Sequence, residues 1–183
     1  FRIAVTRLDE DKITDPNPLK TIQKRAIAKG SEVANNPRVY MVPEDREVIV
    51  IAADSMAVVG KKIYGKALGR EDAAKILKEL MGKIHVFTTV LHVIQMDKGK
   101  VKKSWTKTVT TKVTLRKLSG MELESYISRY DFTRFAAGYA LNETPWDLVT
   151  KIDGSYTNVI GLPFEVLLPI LRATKIIDPP VVK

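Results

Sequence analysis

The sequence predicts an α/β fold: a single domain in which a mixed, twisted central sheet is flanked by helices. Residues 48–53 form an unbroken apolar run rich in β-branched side chains, which is typical of a buried strand. Residues 71–82 carry apolar side chains at helical spacing and end in a glycine. Residues 101–116 alternate apolar and polar side chains, which indicates a strand with one face in water. Together these elements predict one α/β domain with a mixed sheet.

The composition is that of an ordinary globular protein, with 45% hydrophobic and 28% charged residues in a chain of 183. No apolar run approaches the roughly 20 residues that span a bilayer. The first residues lack the basic and apolar regions of a secretory signal, so we expect a cytoplasmic protein without a membrane partner. The absence of cysteine excludes disulfides and thiolate metal sites.

The formal net charge of +9 invites a nucleic-acid or phosphate interpretation. However, the basic residues are spread along the chain, and their densest cluster, within residues 98–103, falls at a predicted hairpin tip. A solvated tip is the favoured interpretation of that cluster. The sequence therefore gives little support to a nucleic acid as partner.

The first part of the chain predicts a strand and then a helix. Residues 1–5 alternate apolar and polar side chains, as a short half-buried strand does, and lead to the acidic pair that ends in Glu10. Pro18 is placed to open the helix. Lys29 lies at the edge of the helix's apolar stripe, where it either extends to water or holds its ammonium over a cleft beside the sheet; the pattern leaves both open. The stripe consists of Leu19, Ile22, Ala26 and Val33.

The buried strand 48–53 ends abruptly at Asp54. In open α/β sheets, ligands bind outside the carboxyl ends of such strands, so Asp54 is a candidate functional residue. A turn or helix-capping aspartate is the more common alternative. The following connection, residues 60–69, has three glycines beside three lysines and is predicted to be flexible and basic. Its spacing matches neither a Walker loop nor a dinucleotide fingerprint.

The remaining elements follow from local patterns. Strands at about residues 85–94 and 101–116 are predicted to form an antiparallel hairpin, and the two histidines on the first strand lack a metal-ligand spacing and are interpreted as structural. Ser119 and Glu122 have the spacing of a capping box that opens a helix. A short strand near Ile152 and a last apolar helix after residues 161–163, bent at Pro169, complete the chain.

Four motifs in this chain carry a resemblance to a known family. Asp54-Ser55 is followed by Gly65-Lys66; residues 82–89 join a helix end to a strand; residues 119–126 and 137–139 form a capped helix and an Ala-Gly turn. Residues 154–163 read Gly-Ser-Tyr-Thr-Asn-Val-Ile-Gly-Leu-Pro and are the most specific of the four. In this order they resemble the motifs of the Maf family of nucleotide pyrophosphatases, whose fold is also like that of ITPases. The resemblance covers nearly the whole chain.

The resemblance implies an enzyme that hydrolyses a nucleoside triphosphate to the monophosphate and pyrophosphate with a divalent metal, Mg²⁺ or Mn²⁺. The family is associated with clearing non-standard or excess nucleotides, and it often forms dimers. Carried over position by position, the resemblance implies functional roles for Glu10, Lys29, Asp54 and Lys66. Asn142 stands where the family has a substrate-contacting glutamine, with the same amide on a side chain one methylene shorter.

The chain also departs from the family pattern. The family begins with a strand and a Ser-x-Ser-Pro-Arg-Arg loop that cradles phosphates, and we expect that segment to precede Phe1, because the sequence does not begin with Met. Its loss from the protein is the alternative. Glu143 adds a charge beside Asn142, and Ala67 replaces the proline after Lys66. These departures leave open a relative without catalysis, which binds nucleotides or a cell-division partner.

The chemistry of these residue types suits pyrophosphohydrolysis. Asp54 and Glu10 offer hard oxygen ligands for Mg²⁺ or Mn²⁺. Asp54 either binds the metal or acts as base for the water that attacks the α-phosphorus, with Glu10 assisting. Lys29 and Lys66 are candidates for pairing with phosphate oxygens. The alternatives are that Glu10 only caps the loop before the first helix and that Lys66 is a solvated loop charge.

Overall fold

The computed structural model describes residues 1–142 and 147–177. Its strands form one sheet in the order β2-β1-β3-β4-β5, and helices accompany them along the chain, so the predicted α/β fold is confirmed. The strands are β1 (Val48–Val59), β2 (Lys62–Tyr64), β3 (Ile84–Asp97), β4 (Lys100–Leu115) and β5 (Val149–Asp153). The α-helices are α1 (Pro18–Asn35), α2 (Arg70–Leu80), α3 (Gly120–Arg129), α4 (Tyr156–Val159) and α5 (Phe164–Ala173), and a 3-10 turn covers Glu10–Lys12.

The strand pairings at both edges of the sheet are antiparallel. β1 pairs with β2, with Ala57 opposite Tyr64, and β4 pairs with β5, with Val113 opposite Ile152. β3 and β4 are joined by two residues only, which requires an antiparallel hairpin, as predicted. A single isolated bridge, between Met81 and Leu115, is parallel. No helix within the described part of the chain is both long enough and apolar enough to cross a membrane.

The chain divides into two compact units, and β1, β3 and β4 contribute residues to both. The first unit comprises Phe1–Asp54, Val90–Thr108 and the chain from Leu162 onward. In it α1 packs its buried face against β1 and β3, and α5 packs against β3. The buried side chains of these two clusters are Val33, Ala34, Tyr40, Val50, Ile94 and Met96, and Leu91, Val93, Leu167 and Ile170.

The second unit comprises Ser55–Thr89 and Val109–Gly161. Its core is one apolar cluster built from α2, α3 and the strands, and it contains a parallel-stacked ring pair, Tyr126 and Phe132, with centroids 4.1 Å apart. Such stacking adds to the stabilisation that the buried ring area itself provides. The fully buried members include Ala57, Leu77, Leu80, Val113 and Ala137.

The predictions for residues 1–5 and for the extent of β1 are wrong. Residues 1–5 form no strand; Ile3 and Val5 are 79% and 84% exposed, because no strand of the described residues pairs with this segment. β1 does not end at Asp54 but continues to Val59, so Asp54 lies inside the strand. Contrary to the prediction, the apolar run 48–53 is also not buried throughout, since Ile51 is exposed.

The connection after β1 is more ordered than predicted. Gly60, at φ +59°, lies in a tight turn, and Lys62–Tyr64 return as β2 along β1. Positive φ is the conformation for which glycine carries no steric penalty. The predicted flexible connection is therefore a hairpin followed by a shorter loop, and the basic side chain of Lys62 pairs with Glu79 at 2.6 Å instead of remaining free.

The local signals for helix ends are confirmed. Asn17 caps α1 by accepting from the Leu19 N–H, with Pro18 as the first helical residue. Ser119 and Glu122 form the reciprocal capping box of α3. Pro169 lies inside α5, as predicted, whereas the short helix α4 was not predicted.

Candidate active site

Asp54 is a carboxylate buried in the middle of a strand. Its side chain is 7% exposed, and Oδ1 accepts a hydrogen bond of 2.7 Å from the ammonium of Lys29. Its second oxygen, Oδ2, is buried and has no hydrogen-bond partner among the described residues. Burying a charged oxygen without a partner is costly, so such an atom is a candidate contact for a ligand, a water or a cation.

Lys29 reaches Asp54 from α1, and the two alternatives left open by the sequence are thereby decided. Its side chain is 20% exposed, and its Nζ lies 2.8 Å from Glu10 Oε2 as well as 2.7 Å from Asp54 Oδ1. The close approach of α1 to the sheet depends on Gly30, where an added Cβ would lie 2.8 Å from His92 Cδ2. The lysine is therefore held between two carboxylates instead of extending to water.

Glu10 enters the site on the 3-10 turn that precedes α1. Its carboxylate is 39% exposed and binds Lys29, while its backbone carbonyl accepts from the Ile13 N–H. Arg25, one helical turn before Lys29, fastens this turn to α1, because its Nε donates to the Ile13 carbonyl at 3.0 Å. Sequence analysis missed Arg25, although its spacing of four residues from Lys29 places both on one helix face.

Burial and neighbouring charges shift the pKa values of Lys29 and Asp54. Burial lowers the pKa of Lys29, but the carboxylates of Asp54 and Glu10 outweigh it, and the net shift of the pKa is upward, so the ammonium stays charged. Burial raises the pKa of Asp54, and the negative charge of Glu10 adds to this, while Lys29 and Arg25 oppose it. A carboxylate with a raised pKa is a better proton acceptor than one exposed to water.

Two further predicted site residues, Lys66 and Asn142, belong to the second unit. Lys66 forms an isolated antiparallel bridge with Ala136, next to a hydrogen bond of 2.8 Å from the Ala137 N–H to the Gly65 carbonyl. Asn142 is exposed at the end of a described segment, and its neighbour Glu143 lies outside the described residues. The roles of Lys66 and Asn142 stay predictions.

The signature at residues 154–163 is held by a buried polar network in the second unit. Asn158 is fully buried, and its Nδ2 donates to the Phe87 carbonyl and to Thr111 Oγ1. Thr89 Oγ1 donates to the Asn158 carbonyl and lies 2.8 Å from Ser55 Oγ. Asn158 therefore fixes the turn before the last helix, while the participation of Thr89 had no sequence signal beyond its place in a motif.

The two histidines make protein contacts inside the sheet. His85 Nε2 lies 2.7 Å from the Tyr139 hydroxyl, and His92 Nδ1 lies 2.9 Å from Thr106 Oγ1. Burial lowers the pKa of His85 to about 4, so its ring is neutral at physiological pH. Both contacts agree with the structural interpretation of these residues.

The residues around Lys29 fit a hard divalent cation. Glu10 and Asp54 present carboxylate oxygens to one point, and Asp54 Oδ2 is an unpartnered buried acceptor. No group of three or more His, Cys, Asp or Glu side chains with the arrangement of a metal site occurs among the described residues. Two carboxylates nevertheless suffice for Mg²⁺, which usually keeps several waters and binds substrate phosphates as well.

Comparison with known proteins gives a consistent result. The family model described as Maf-like protein matches residues 1–174. A dTTP/UTP pyrophosphatase of Pyrococcus furiosus is 35% identical over 91% of this chain and 81% of its own length. Proteins of the same name from Chelativorans sp. and from Caldanaerobacter subterraneus subsp. tengcongensis are 31% and 32% identical, each over 94% of this chain and over 79% and 78% of their own lengths.

Proposed function

The chain belongs to the Maf-like family, and from this premise we propose that it is a nucleoside triphosphate pyrophosphatase, which releases the monophosphate and pyrophosphate. The similarity to proteins named dTTP/UTP pyrophosphatase supports this reaction class. In the structure, the proposal depends on the contact of Lys29 with Glu10 and Asp54. Asp54 is buried, and its Oδ2 has no partner among the described residues. By this reaction the protein would clear non-standard or excess nucleoside triphosphates.

Asp54 is the proposed general base. Its burial raises the pKa of its carboxyl, and its Oδ2 has no partner among the described residues, so this oxygen is available to take a proton from water. The water attacks the α-phosphorus, the α–β anhydride bond breaks, and pyrophosphate leaves. Lys29, and Lys66 as a predicted second cation, balance the charge of the phosphate oxygens.

The metal dependence of the reaction is part of the proposal. Glu10 and Asp54 would hold Mg²⁺ or Mn²⁺, because both offer hard oxygen ligands close to one point. When bound, such a cation supplies charge neutralisation for the triphosphate. The protein's own contribution is to keep the carboxylates together and partly shielded from water.

The substrate class follows from the relatives. Their names specify dTTP and UTP, so we expect a pyrimidine triphosphate with a thymine or uracil base to be preferred here. The amide of Asn142 is a further proposed contact to the substrate. A cytoplasmic location and a homodimer complete the proposal and rest on the family alone.

The test is a pyrophosphate-release assay of the protein over standard and modified triphosphates with Mg²⁺ or Mn²⁺. We expect turnover of dTTP and UTP above the other substrates. Asp54→Asn should lower kcat by roughly 10²–10⁴, the usual effect of removing a general base. Asp153→Asn, which changes an exposed aspartate at the end of β5, is the matched control and should keep wild-type turnover.

Full activity of a folded Asp54→Asn protein would exclude the proposed role of Asp54. A protein that binds dTTP or UTP but releases no pyrophosphate with either metal would favour the non-catalytic alternative instead. That alternative is supported by one departure from the family pattern, the shorter side chain of Asn142. The two outcomes are separated by measuring nucleotide binding and product formation on the same preparation.

A further inference from the structure

One ammonium forms ion pairs with both carboxylates of the candidate site. Lys29 Nζ lies 2.7 Å from Asp54 Oδ1 and 2.8 Å from Glu10 Oε2, so a single nitrogen atom occupies the point on which the two side chains converge. Both distances are typical of strong, charge-assisted hydrogen bonds. A divalent cation that binds these oxygens must therefore displace the Lys29 ammonium or share the oxygens with it.

We propose that Lys29 is a built-in competitor of the metal, which keeps the divalent-cation affinity of the nucleotide-free protein low until a triphosphate draws its ammonium away. This inference rests on the proposed function for the identity of the triphosphate and of the cation. The competition itself depends only on the contacts of Lys29. It assigns Lys29 a second task beside pairing with phosphate.

The charges explain the competition. With Lys29 in place, the two carboxylates and the ammonium carry a net charge of about −1, and without it about −2. The contact is partly buried, with Asp54 7% and Lys29 20% exposed, so water screens it less than a surface pair. Mg²⁺ gives up its waters reluctantly, which makes it a poor competitor for oxygens already held at hydrogen-bond distance.

The same geometry explains the release. Lys29 carries a compact charge on a flexible four-carbon stem, and part of that side chain reaches the solvent. Phosphate oxygens are alternative acceptors for the ammonium, and once it moves onto them both carboxylates are free to bind the cation. Asp54 Oδ2, unpartnered among the described residues, stays available to accept the proton from water. Metal and nucleotide binding are then cooperative, and by linkage each strengthens the other equally.

The competition is tested with Mn²⁺ alone and no nucleotide, by titration followed with electron paramagnetic resonance. Lys29→Met should bind Mn²⁺ roughly tenfold more tightly than wild type, or better, because one positive charge has left the site. Lys29→Arg keeps the charge and should stay close to wild type. Lys24→Met removes a lysine on the same helix that pairs with Asp15, and it is the matched control, with no expected change.

Circular dichroism confirms that each variant is folded, and Lys29→Gln replaces Lys29→Met if the latter is not. An equal or weaker Mn²⁺ affinity in the folded, uncharged variant would overturn the competition. So would an affinity for Lys29→Arg as high as that for Lys29→Met, since the charge would then be irrelevant.

The release is tested by repeating the titration with an α,β-imido analogue of UTP, corrected for the Mn²⁺ that the analogue binds by itself. The analogue should raise the Mn²⁺ affinity of wild type by a larger factor than that of Lys29→Met. Equal factors would overturn the release step. The proposed function fails separately, if no triphosphate yields pyrophosphate, and the Mn²⁺ titration without nucleotide decides the competition in either case.

Discussion

At the scale of single residues, the site is a balance of three charges that the protein partly shields from water. Asp54 is buried, and Lys29 alone among the described residues makes direct ion pairs with both Asp54 and Glu10. A buried carboxylate whose partner is removed destabilises the folded state strongly, whereas removal of both charges often does not. The contribution of Lys29 to stability therefore depends on the presence of Asp54.

Lys29→Met is expected to lower the free energy of unfolding by about 3 kcal/mol at pH 7, the lower end for a broken buried pair, because the lysine is partly exposed. Adding Asp54→Asn should recover most of this loss. Without Lys29, burial and Glu10 still raise the pKa of Asp54, so the folded state binds a proton more tightly than the unfolded state. The cost of Lys29→Met should therefore shrink as the pH falls from 7 to 5.

Urea denaturation of the two single variants and the double variant, at both pH values, measures these differences. A loss that is additive between Lys29 and Asp54, or that does not change with pH, would contradict a direct charge interaction. Lys24→Met, in an exposed pair with Asp15, should change stability by less than about 1 kcal/mol and serves as control.

At the scale of secondary-structure elements, the position of Lys29 depends on how closely α1 approaches the sheet. Gly30 permits this approach: a Cβ there would lie 2.8 Å from His92 Cδ2, 3.3 Å from Ile94 Cδ1 and 3.4 Å from Ala52 Cβ. His92 and Ile94 are buried and have little room to move. A longer side chain at residue 30 would push the helix outward, together with the lysine beside it.

Gly30→Ala should lower the free energy of unfolding by about 1–3 kcal/mol through overpacking, even though alanine is preferred over glycine in helices by about 1 kcal/mol. It should also lower kcat/KM, because Lys29 moves away from Asp54. Gly120→Ala is the matched control at the start of α3, where nothing lies within 4 Å of the new Cβ. Thermal unfolding measures the change in stability, and the pyrophosphate assay measures the change in kcat/KM. A Gly30→Ala protein as stable as the Gly120→Ala protein would contradict the close packing of α1 at Gly30.

At the scale of the whole molecule, the sequence predicts what local chemistry decides. Four predictions that depend on neighbouring residues are confirmed: the helix start at Pro18, the cap at Ser119, the stripe of α2 and the hairpin of β3 and β4. Residues 1–5 and β1 were misjudged, because whether an alternating segment pairs, and where a strand ends, depend on distant partners.

For the candidate site, the sequence predicted which residues take part but not how they contact one another. Asp54 and Lys29 were candidates from their places on a strand and a helix, and the family resemblance supported both and added Glu10. Only the structure shows that both carboxylates contact the Nζ of Lys29. The sequence left open whether Lys29 faces water, since periodicity places a residue on a helix face without showing what that face meets. The buried free oxygen of Asp54 and the clamp by Arg25 have no sequence signal of their own.

The stability of the folded protein at acid pH should depend on His85. Below pH 6.5, the ordinary pKa of histidine, an unfolded chain takes up a proton at His85 that the folded chain refuses until about pH 4. The free energy of unfolding should therefore fall by about 2 kcal/mol between pH 6.5 and pH 5 on account of His85 alone. His92, the only other histidine in the sequence, acts in the same direction, because burial lowers its pKa as well.

His85→Gln should lower stability at pH 7, because the contact with the Tyr139 hydroxyl is altered, but its stability should change less between pH 7 and pH 5 than that of wild type. His92→Gln is the comparison and should flatten the profile less, since His92 is less buried. Urea denaturation at both pH values measures the slopes. A His85→Gln slope equal to that of wild type would mean that the acid sensitivity of the fold arises elsewhere, and the carboxylates of the candidate site would be the next groups to replace.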